Sequence, residues 1–533
     1  MSSFTRPVSF QIGDGQCAPI NILGLNTIQG AGADFVFVDL DDDSTITQQQ
    51  FLFSLAGDSS EYFELPAGPI GFAAGFEYRK DTSEFVPDNF FNTDPDLVNN
   101  NGSLVLPTGN QDVEVYEGFG EVKIPLLRDK PFAEYLEISG AGRISDYNTI
   151  GGTTTYSVGG RYQPHDALTL RGTYSRAIRA PNLGELFSPQ TAAIIGVNAD
   201  PCDDNNIGDG TANREQNCLE FVNPGFDSAA ELTAFVTGTT GGNPNLIEET
   251  SDSFTIGGVF QPNGILNGAL DNLIVILDYY DIQIEDAIGS LTGQQIAEFC
   301  VDLPSTNNQF CDSIQRVPQA DGGEIAGFTS GNINFSELRA RGLDFDVRYV
   351  FDVPSKSKDL GSIQLNLTGT RFLEQTTESD PIIGEIIASE TDPLQQELLR
   401  IDQGFNSDNL DVIGIPELVW NLGVNWDYKD LRIGATGRFE GSTSRFSNAD
   451  QNTVEIVNGA VVVSDNEGLA DPSQLTTGSS FEVDLNANYE ISDNFGVYGG
   501  VSNVFDEEPF AGSLFRAVGP RGRFFFVGVQ GSF

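Results

Sequence analysis

The cysteines are the residues of this 533-residue chain whose type and spacing most clearly indicate chemistry. Cys202 and Cys218 form one close pair, Cys300 and Cys311 form another, and both pairs lie in polar, loop-like stretches. No CxxC spacing occurs and the chain has a single histidine, so a zinc site is not expected. Each close pair is therefore predicted to form a disulfide, which is typical of an exported protein, and Cys17 is left over.

Two further groups could catalyse or bind. His165 could act as a catalytic base, but no serine nucleophile motif accompanies it, so a solvated turn residue is the better interpretation. The run Asp203–Gly210 carries the oxygen ligands of a calcium loop but has no glutamate at the twelfth position. We interpret it, with the acidic run Asp39–Asp43, as solvated loop. Ca²⁺ bridging such loops is the alternative, and no other cofactor or catalytic residue is predicted.

Three arginines, Arg171, Arg176 and Arg179, form the last group. They could contact an anionic ligand inside a barrel, or they could neutralise an acidic wall and position the chain beside them. The chain has 27 basic and 77 acidic residues, a net charge of −50, which favours neutralisation. The same imbalance argues against nucleic acid as a partner, because phosphate binding needs a basic surface.

Long β-strands must position these residues. Apolar and polar residues alternate over Phe481–Ile491, Leu418–Tyr428 and Leu343–Phe351. Such strands exceed the ~5–6 residues usual in soluble sheets and suit the ~9–11 that a tilted strand needs to cross a bilayer. Aromatic residues at strand ends suit an interfacial girdle.

The connections between these strands alternate in length. Short ones are expected at Leu126–Lys130 and Gln163–Asp166, and long ones at Ile178–Ile247 and Ile284–Phe335. Short turns at one rim and long loops at the other are the plan of an outer-membrane barrel, here with roughly fifteen strands from Gln48 onward.

Alternation also assigns a face to each side chain. A charge facing hydrocarbon costs roughly 2–4 kcal/mol at the midplane, and less for an acid, so apolar residues should face lipid and polar residues a wet lumen. The predicted lipid-facing residues are Phe345, Val347, Trp420, Leu422, Val424, Phe481, Leu485, Phe525 and Val527. The predicted lumen-facing residues are Asp344, Asp346, Asn421, Asn425, Glu482, Asp484 and Asn486.

Four stretches of the chain resemble TonB-dependent receptors. They are Tyr174-Ser175-Arg176-Ala177-Ile178-Arg179-Ala180-Pro181-Asn182-Leu183-Gly184-Glu185-Leu186-Phe187, then Gly242-Asn243-Pro244-Asn245-Leu246-Ile247-Glu248-Glu249-Thr250-Ser251, then Asn503–Pro509, and the end from Gly522 to Phe533. The second has Glu248-Glu249 where the family usually has Pro-Glu. In the fourth, Phe525, Val527, Val529 and Phe533 share a face and resemble the signal that the barrel-assembly machinery reads.

The resemblance implies an all-β, antiparallel transmembrane barrel of about 22 strands enclosing a plug. Neither a signal peptide, an energy-coupling box nor a plug is recognisable here, so we expect a truncated chain that supplies roughly the last fifteen strands. Residues 1–45 are expected to be an external loop segment and residues 46–533 the barrel domain. The first and last strands should then not pair, and the partner of Cys17 should lie upstream.

The function that the resemblance implies is energy-dependent uptake of a scarce ligand across the outer membrane of a Gram-negative bacterium, without covalent chemistry. The ligand would be a metal-siderophore, a vitamin or an oligosaccharide, and the sequence does not distinguish among them. Implied partners are outer-membrane lipid, the inner-membrane TonB complex and the barrel-assembly machinery. A passive porin or a surface adhesin is the alternative.

Overall fold

The structure is a computed structural model. It describes residues 28–30, 33, 41–88, 107–196, 200–208, 210–211, 213–227, 235–262, 264, 268, 270–354, 359–378, 407–408, 415–444, 452–457, 460–465, 478–508 and 522–531. Cys17, Phe533 and most of the expected external segment 1–45 lie outside these residues. The first strand begins at Asp43, close to the expected boundary.

Twenty-one strands and four short α-helices make up the described chain. The strands are β1 (Asp43–Asp58), β2 (Gly71–Val86), β3 (Thr108–Lys130), β4 (Ala133–Tyr147), β5 (Gly151–His165), β6 (Leu168–Arg179), β7 (Thr191–Gly196), β8 (Phe235–Gly241), β9 (Glu249–Phe260), β10 (Leu273–Leu291), β11 (Ile314–Arg316), β12 (Ile325–Asp352), β13 (Ser362–Glu378), β14 (Ser407–Asp408), β15 (Leu418–Tyr428), β16 (Leu431–Glu440), β17 (Asn452–Val457), β18 (Ala460–Asp465), β19 (Ser480–Ser492), β20 (Phe495–Ser502) and β21 (Phe524–Gly531). The helices are α1 (Leu183–Phe187), α2 (Arg214–Cys218), α3 (Gly293–Asp302) and α4 (Gln309–Asp312).

Fifteen of these strands form one continuous antiparallel wall. Its order is β1-β2-β3-β4-β5-β6-β9-β10-β12-β13-β15-β16-β19-β20-β21, each strand hydrogen-bonded to the next. The predicted number of strands is confirmed. Within the described residues no pairing joins β1 to β21, so the barrel is not closed, as expected.

The connections follow the predicted alternation, with three differences. The turn expected at Leu126–Lys130 is strand, because β3 continues through a bulge after Pro125 and turns only at residues 131–132. Strands β10 and β12 extend far into the loop expected at Ile284–Phe335. The β4–β5 connection is a tight turn on the long-loop rim, held by Asn148, whose side-chain oxygen accepts the Glu114 N–H at 2.8 Å.

Cross-strand register confirms the two predicted sets of side chains. Phe345, Gly369, Trp420, Phe439 and Phe481 lie in one row across the wall, and the Trp420 and Phe439 rings stack 5.3 Å apart. The row on the other face is Asp346, Thr368, Asn421, Arg438 and Glu482. We call these the apolar face and the polar face. Since successive side chains in a strand point to opposite faces, this register assigns every residue of the regular strands.

The C-terminal strand follows the same rule. Phe525, Val527 and Val529 share the apolar face, because they pair with Val501, Gly499 and Val497 of β20. All three are more than two-thirds exposed, as expected of side chains that meet lipid. No helix in the described part of the chain is long and apolar enough to span a membrane.

Candidate functional site: the corner after β6 and the loops above it

The first family motif forms a corner between strand β6 and helix α1. Asn182 caps the helix: its side chain accepts the Glu185 N–H at 2.9 Å, and the Glu185 carboxylate accepts the Asn182 N–H at 2.8 Å. This reciprocal capping satisfies two backbone donors that the start of a helix would otherwise leave unpaired. Pro181 is buried, and Leu186 packs with Val113 of β3 and Leu246. Helix α1 is thereby fixed to the polar face of the wall.

Arg179 holds this corner to strand β9. Its guanidinium donates to both Glu249 oxygens at 2.5 and 2.6 Å, and to both Glu185 oxygens at 3.0 Å. Glu249 also accepts the Ile288 N–H at 2.8 Å. Arg179 is paired with Glu185 and Glu249 at the same time, so the corner is an ionic clamp.

The second family motif closes the same corner from the other side. The Asn243 N–H donates to the Glu185 carbonyl at 2.9 Å, and its side chain donates to the Asn332 carbonyl at 2.9 Å. Asn334 binds Ile247 twice, accepting its N–H at 3.0 Å and donating to its carbonyl at 3.1 Å. The sequence analysis missed Asn332 and Asn334, which hold this side of the corner. Their two-residue spacing in a strand, which places both on one face, was the available signal.

Both predicted disulfides are present. Cys202 and Cys218 are joined with an S–S distance of 2.01 Å, and Cys300 and Cys311 with 2.06 Å. Each closes a turn within a long loop, one between β6 and β9 and the other between β10 and β12. Both disulfides lie in the same hydrophobic cluster, with Ile296, Val301 and Phe310 at its centre. The two loops are therefore one folded unit, the loop module, consisting of the described parts of residues 180–248 and 292–336.

Two buried ion pairs join the halves of the loop module. Arg214 of the first loop pairs with Asp302 of the second, and their side chains are 7% and 8% exposed. Arg316 of the second loop pairs with Asp200 of the first at 2.7 Å, with 7% and 5% exposure. Strand β8 also adds to β12 in a parallel pairing from Thr329 to Gly331. The sequence analysis missed all four charged residues, because no local pattern marks partners in separate loops.

The three arginines predicted as lumen contacts do not share a face. Arg171 lies on the polar face and donates to Asp278 at 3.0 and 2.6 Å, and Arg179 lies on that face too. Arg176 lies on the apolar face, where it is 3.8 Å from Asp252, which also accepts the Tyr174 hydroxyl at 2.8 Å. The expectation that Arg176 faces the lumen is therefore wrong. Side chains on one face of a strand differ by an even number in sequence position, and Arg176 is five positions from Arg171. All three arginines have carboxylate partners, as the neutralisation interpretation requires.

The polar face offers a second place for a ligand. An open concavity of about 520 Å³ in the wall has a polar lining of Asp278, Asp344, Asp346, Thr368, Thr370 and Asn421, together with Ile276, Phe345, Gly369 and Val419. Asp344 accepts the Thr370 hydroxyl at 2.6 Å, while Asp278 is held by Arg171. The concavity therefore combines an acidic, hydrogen-bonding part with an apolar part.

The third motif anchors the exit of strand β20. Asn503 is buried, and its φ angle is positive. Its backbone N–H donates to the Asp484 carboxylate at 2.8 Å. Its side-chain amide donates to the Glu507 carbonyl at 2.8 Å and accepts the Glu507 N–H at 2.7 Å. Asp506 accepts the Arg523 N–H at 2.8 Å, which ties the motif to the start of β21. This motif is thus a structural lock between three strands.

The remaining candidates do not form a site in the described part of the chain. His165 lies at the β5–β6 turn, where its Nδ1 accepts the Ala167 N–H at 3.1 Å. In the acidic run, Asp203 is buried and its carboxylate accepts the Asn205 backbone and side-chain N–H groups. No group of three or more His, Cys, Asp or Glu side chains among the described residues could hold a metal ion.

Comparisons with known proteins agree with this geometry. The siderophore receptor PirA of Acinetobacter baumannii is 14% identical and superimposes with a TM-score of 0.52, over 92% of this chain and 55% of that one. A mutant of the ferric enterobactin receptor PfeA of Pseudomonas aeruginosa is 14% identical with a TM-score of 0.51, over 92% and 54%. At this identity the likeness shows the fold alone, and the chain spans about half the length of these structures. No curated protein sequence matches the chain.

The family assignment comes from the sequence match. A family model described as TonB dependent receptor-like, beta-barrel, matches residues 20–504, which is most of the chain. The chain therefore belongs to the TonB-dependent receptor family through its β-barrel domain and is an outer-membrane protein of Gram-negative bacteria.

Proposed function

We propose that the chain is the barrel portion of a receptor for energy-dependent uptake of a metal-siderophore. The observation that carries the proposal is the ionic corner of Arg179, Glu185 and Glu249, which fixes a disulfide-bonded loop module above the polar face. A rigid module beside a wet, hydrogen-bonding wall supplies an entrance and a lining for a polar ligand. The two neighbouring structures named above are a siderophore receptor and a ferric enterobactin receptor, which favours a siderophore over a vitamin or an oligosaccharide.

In this proposal the chain binds and passes its ligand without any covalent step and without a resident cofactor. Its further partners would be outer-membrane lipid on the apolar face, the inner-membrane TonB complex as energy source, and the barrel-assembly machinery, which would read the strand ending in Phe525, Val527, Val529 and Phe533. The ligand would first meet the loop module and then the acidic concavity around Asp344 and Asp346.

Uptake by the natural, full gene product tests the proposal. Cells that carry the gene should accumulate radiolabelled ferric siderophore from a panel, and accumulation should stop when the TonB complex is deleted or the proton gradient is collapsed. Planar bilayers with the purified protein should show no open conductance. A steady conductance with energy-independent solute entry would favour the passive porin, and adhesion to surfaces without any ligand uptake would favour the adhesin.

A further inference from the structure

The described arginines of this acidic chain pair with carboxylates almost without exception. Thirteen of sixteen have a carboxylate oxygen within 4.0 Å: Arg79, Arg143, Arg171, Arg176, Arg179, Arg214, Arg316, Arg339, Arg341, Arg348, Arg371, Arg432 and Arg438. Of the other three, Arg523 donates to the Val504 carbonyl at 2.9 Å. The remaining two, Arg128 and Arg161, have no carboxylate partner within the described residues.

These two arginines converge on one tyrosine. Arg128 is the cross-strand partner of Tyr135, and its guanidinium carbon lies 5.4 Å from the centre of the ring. Arg161 is a diagonal neighbour on the next strand, and its guanidinium carbon lies 5.5 Å from the same centre. Both arginines are exposed, and register places them and Tyr135 on the polar face beside the short turns. The ring positions both cations, because guanidinium groups are attracted to aromatic faces.

No carboxylate of the described residues forms an ion pair with either arginine. Glu137 lies directly across from Arg161, yet its carboxylate instead accepts the Tyr135 hydroxyl at 2.5 Å. In a chain with 77 acidic residues, a carboxylate partner is the default for an arginine. Two like charges held on one ring repel each other, and an anion bound between them would relieve that repulsion. Guanidinium donors form planar, paired hydrogen bonds with carboxylates and phosphates in particular.

We propose that Arg128, Tyr135 and Arg161 form an anion-binding site for a small molecule that carries carboxylate or phosphate groups. Two acidic groups on one molecule fit the site best, one for each guanidinium. The site lies at the rim opposite the loop module, so an anionic ligand would meet it last on its way through the barrel. Only this direction of travel rests on the proposed function; the binding itself does not.

Titration calorimetry of the full chain in detergent tests the site, with citrate and inorganic phosphate as probes. Citrate should bind saturably, and phosphate more weakly because it bridges only one guanidinium at a time. Arg128→Gln and Arg161→Gln should each weaken citrate binding about tenfold, since each removes one charged hydrogen-bond donor. The double variant should show no saturable heat. Higher salt should weaken binding by the wild type.

Two matched variants serve as controls. Lys130→Gln removes an equal charge from the same β3–β4 turn, and Lys429→Gln removes the single cation that lies 5.2 Å from the Tyr428 ring. Both should bind citrate as the wild type does. Equal losses in Lys130→Gln and Arg128→Gln, or no saturable binding by the wild type, would refute the site. The variant with both arginines changed to lysine keeps both positive charges. If the glutamine double variant does not fold, the lysine variant tests the site instead, and it should bind citrate saturably but more weakly than the wild type. A failure of siderophore uptake would leave these results unchanged.

Discussion

Replacing Arg214 by methionine should destabilise the loop module while leaving the wall intact. Arg214 and Asp302 are 7% and 8% exposed, and the arginine donates to both Asp302 oxygens and to the Asn206 carbonyl at 2.9 Å. Removing one partner leaves a buried charge uncompensated, which typically costs about 3–5 kcal/mol. The Asp302 carboxylate would keep only its hydrogen bond from the Thr211 N–H at 3.1 Å. We therefore expect the module to lose stability in that range.

A second substitution separates the charge effect from the loss of packing. In the double variant Arg214→Met with Asp302→Leu no charge is left buried, so most of the lost stability should return. The exposed pair Arg371–Glu417, with 56% and 44% exposure, is the control, and Arg371→Met should cost no more than about 1 kcal/mol.

Hydrogen exchange read by mass spectrometry is the assay, because it reports opening free energies segment by segment. Arg214→Met should speed exchange in peptides from α2, α3 and α4 by two orders of magnitude or more, consistent with ~3 kcal/mol, and leave β15 and β16 unchanged. If Arg371→Met and Arg214→Met had equal effects, or if the double variant were less stable than the single one, burial of the pair would not be the cause.

Three further outcomes follow from the register and the loops. Val424→Arg places a charge on the apolar face at a cost of roughly 2–4 kcal/mol and should lower outer-membrane yield, whereas Asn425→Arg on the polar face should not; equal yields would contradict the assigned faces. Asn334→Ala removes both hydrogen bonds to Ile247 and the 2.8 Å bond to the Asp286 carbonyl. Limited proteolysis should therefore cut the chain around Ile247 faster than in the control variant Asn366→Ala, whose side chain lies in the middle of the wall. Replacing both cysteines of the Cys202–Cys218 pair should destabilise the loop module by roughly 3 kcal/mol on the chain-entropy model, which the same hydrogen-exchange assay measures. A loss smaller than that of Arg371→Met would show that the disulfide does not stabilise the module.

The wall could be predicted from the sequence because its signal is local. A strand such as Leu418–Tyr428 shows its two faces within a few residues, and the length of each connection shows where the chain turns. The bulge after Pro125 and the tight turn at Asn148 escaped prediction, since each depends on one backbone contact rather than on a pattern. The disulfides were predictable for the same local reason: each pair is close in sequence, with separations of 16 and 11 residues.

The loop module was not predictable, because its determining contacts join segments far apart in sequence. Arg214 and Asp302 are separated by 88 residues, and Arg316 and Asp200 by 116. Nothing near either arginine indicates which of many loop carboxylates it will meet. Arg176 is the opposite case. Its place on the apolar face follows from counting five residues from Arg171, an odd separation that puts the two on opposite faces. Alternation along a strand is a stronger constraint than a motif's resemblance, and where the two disagree the alternation decides.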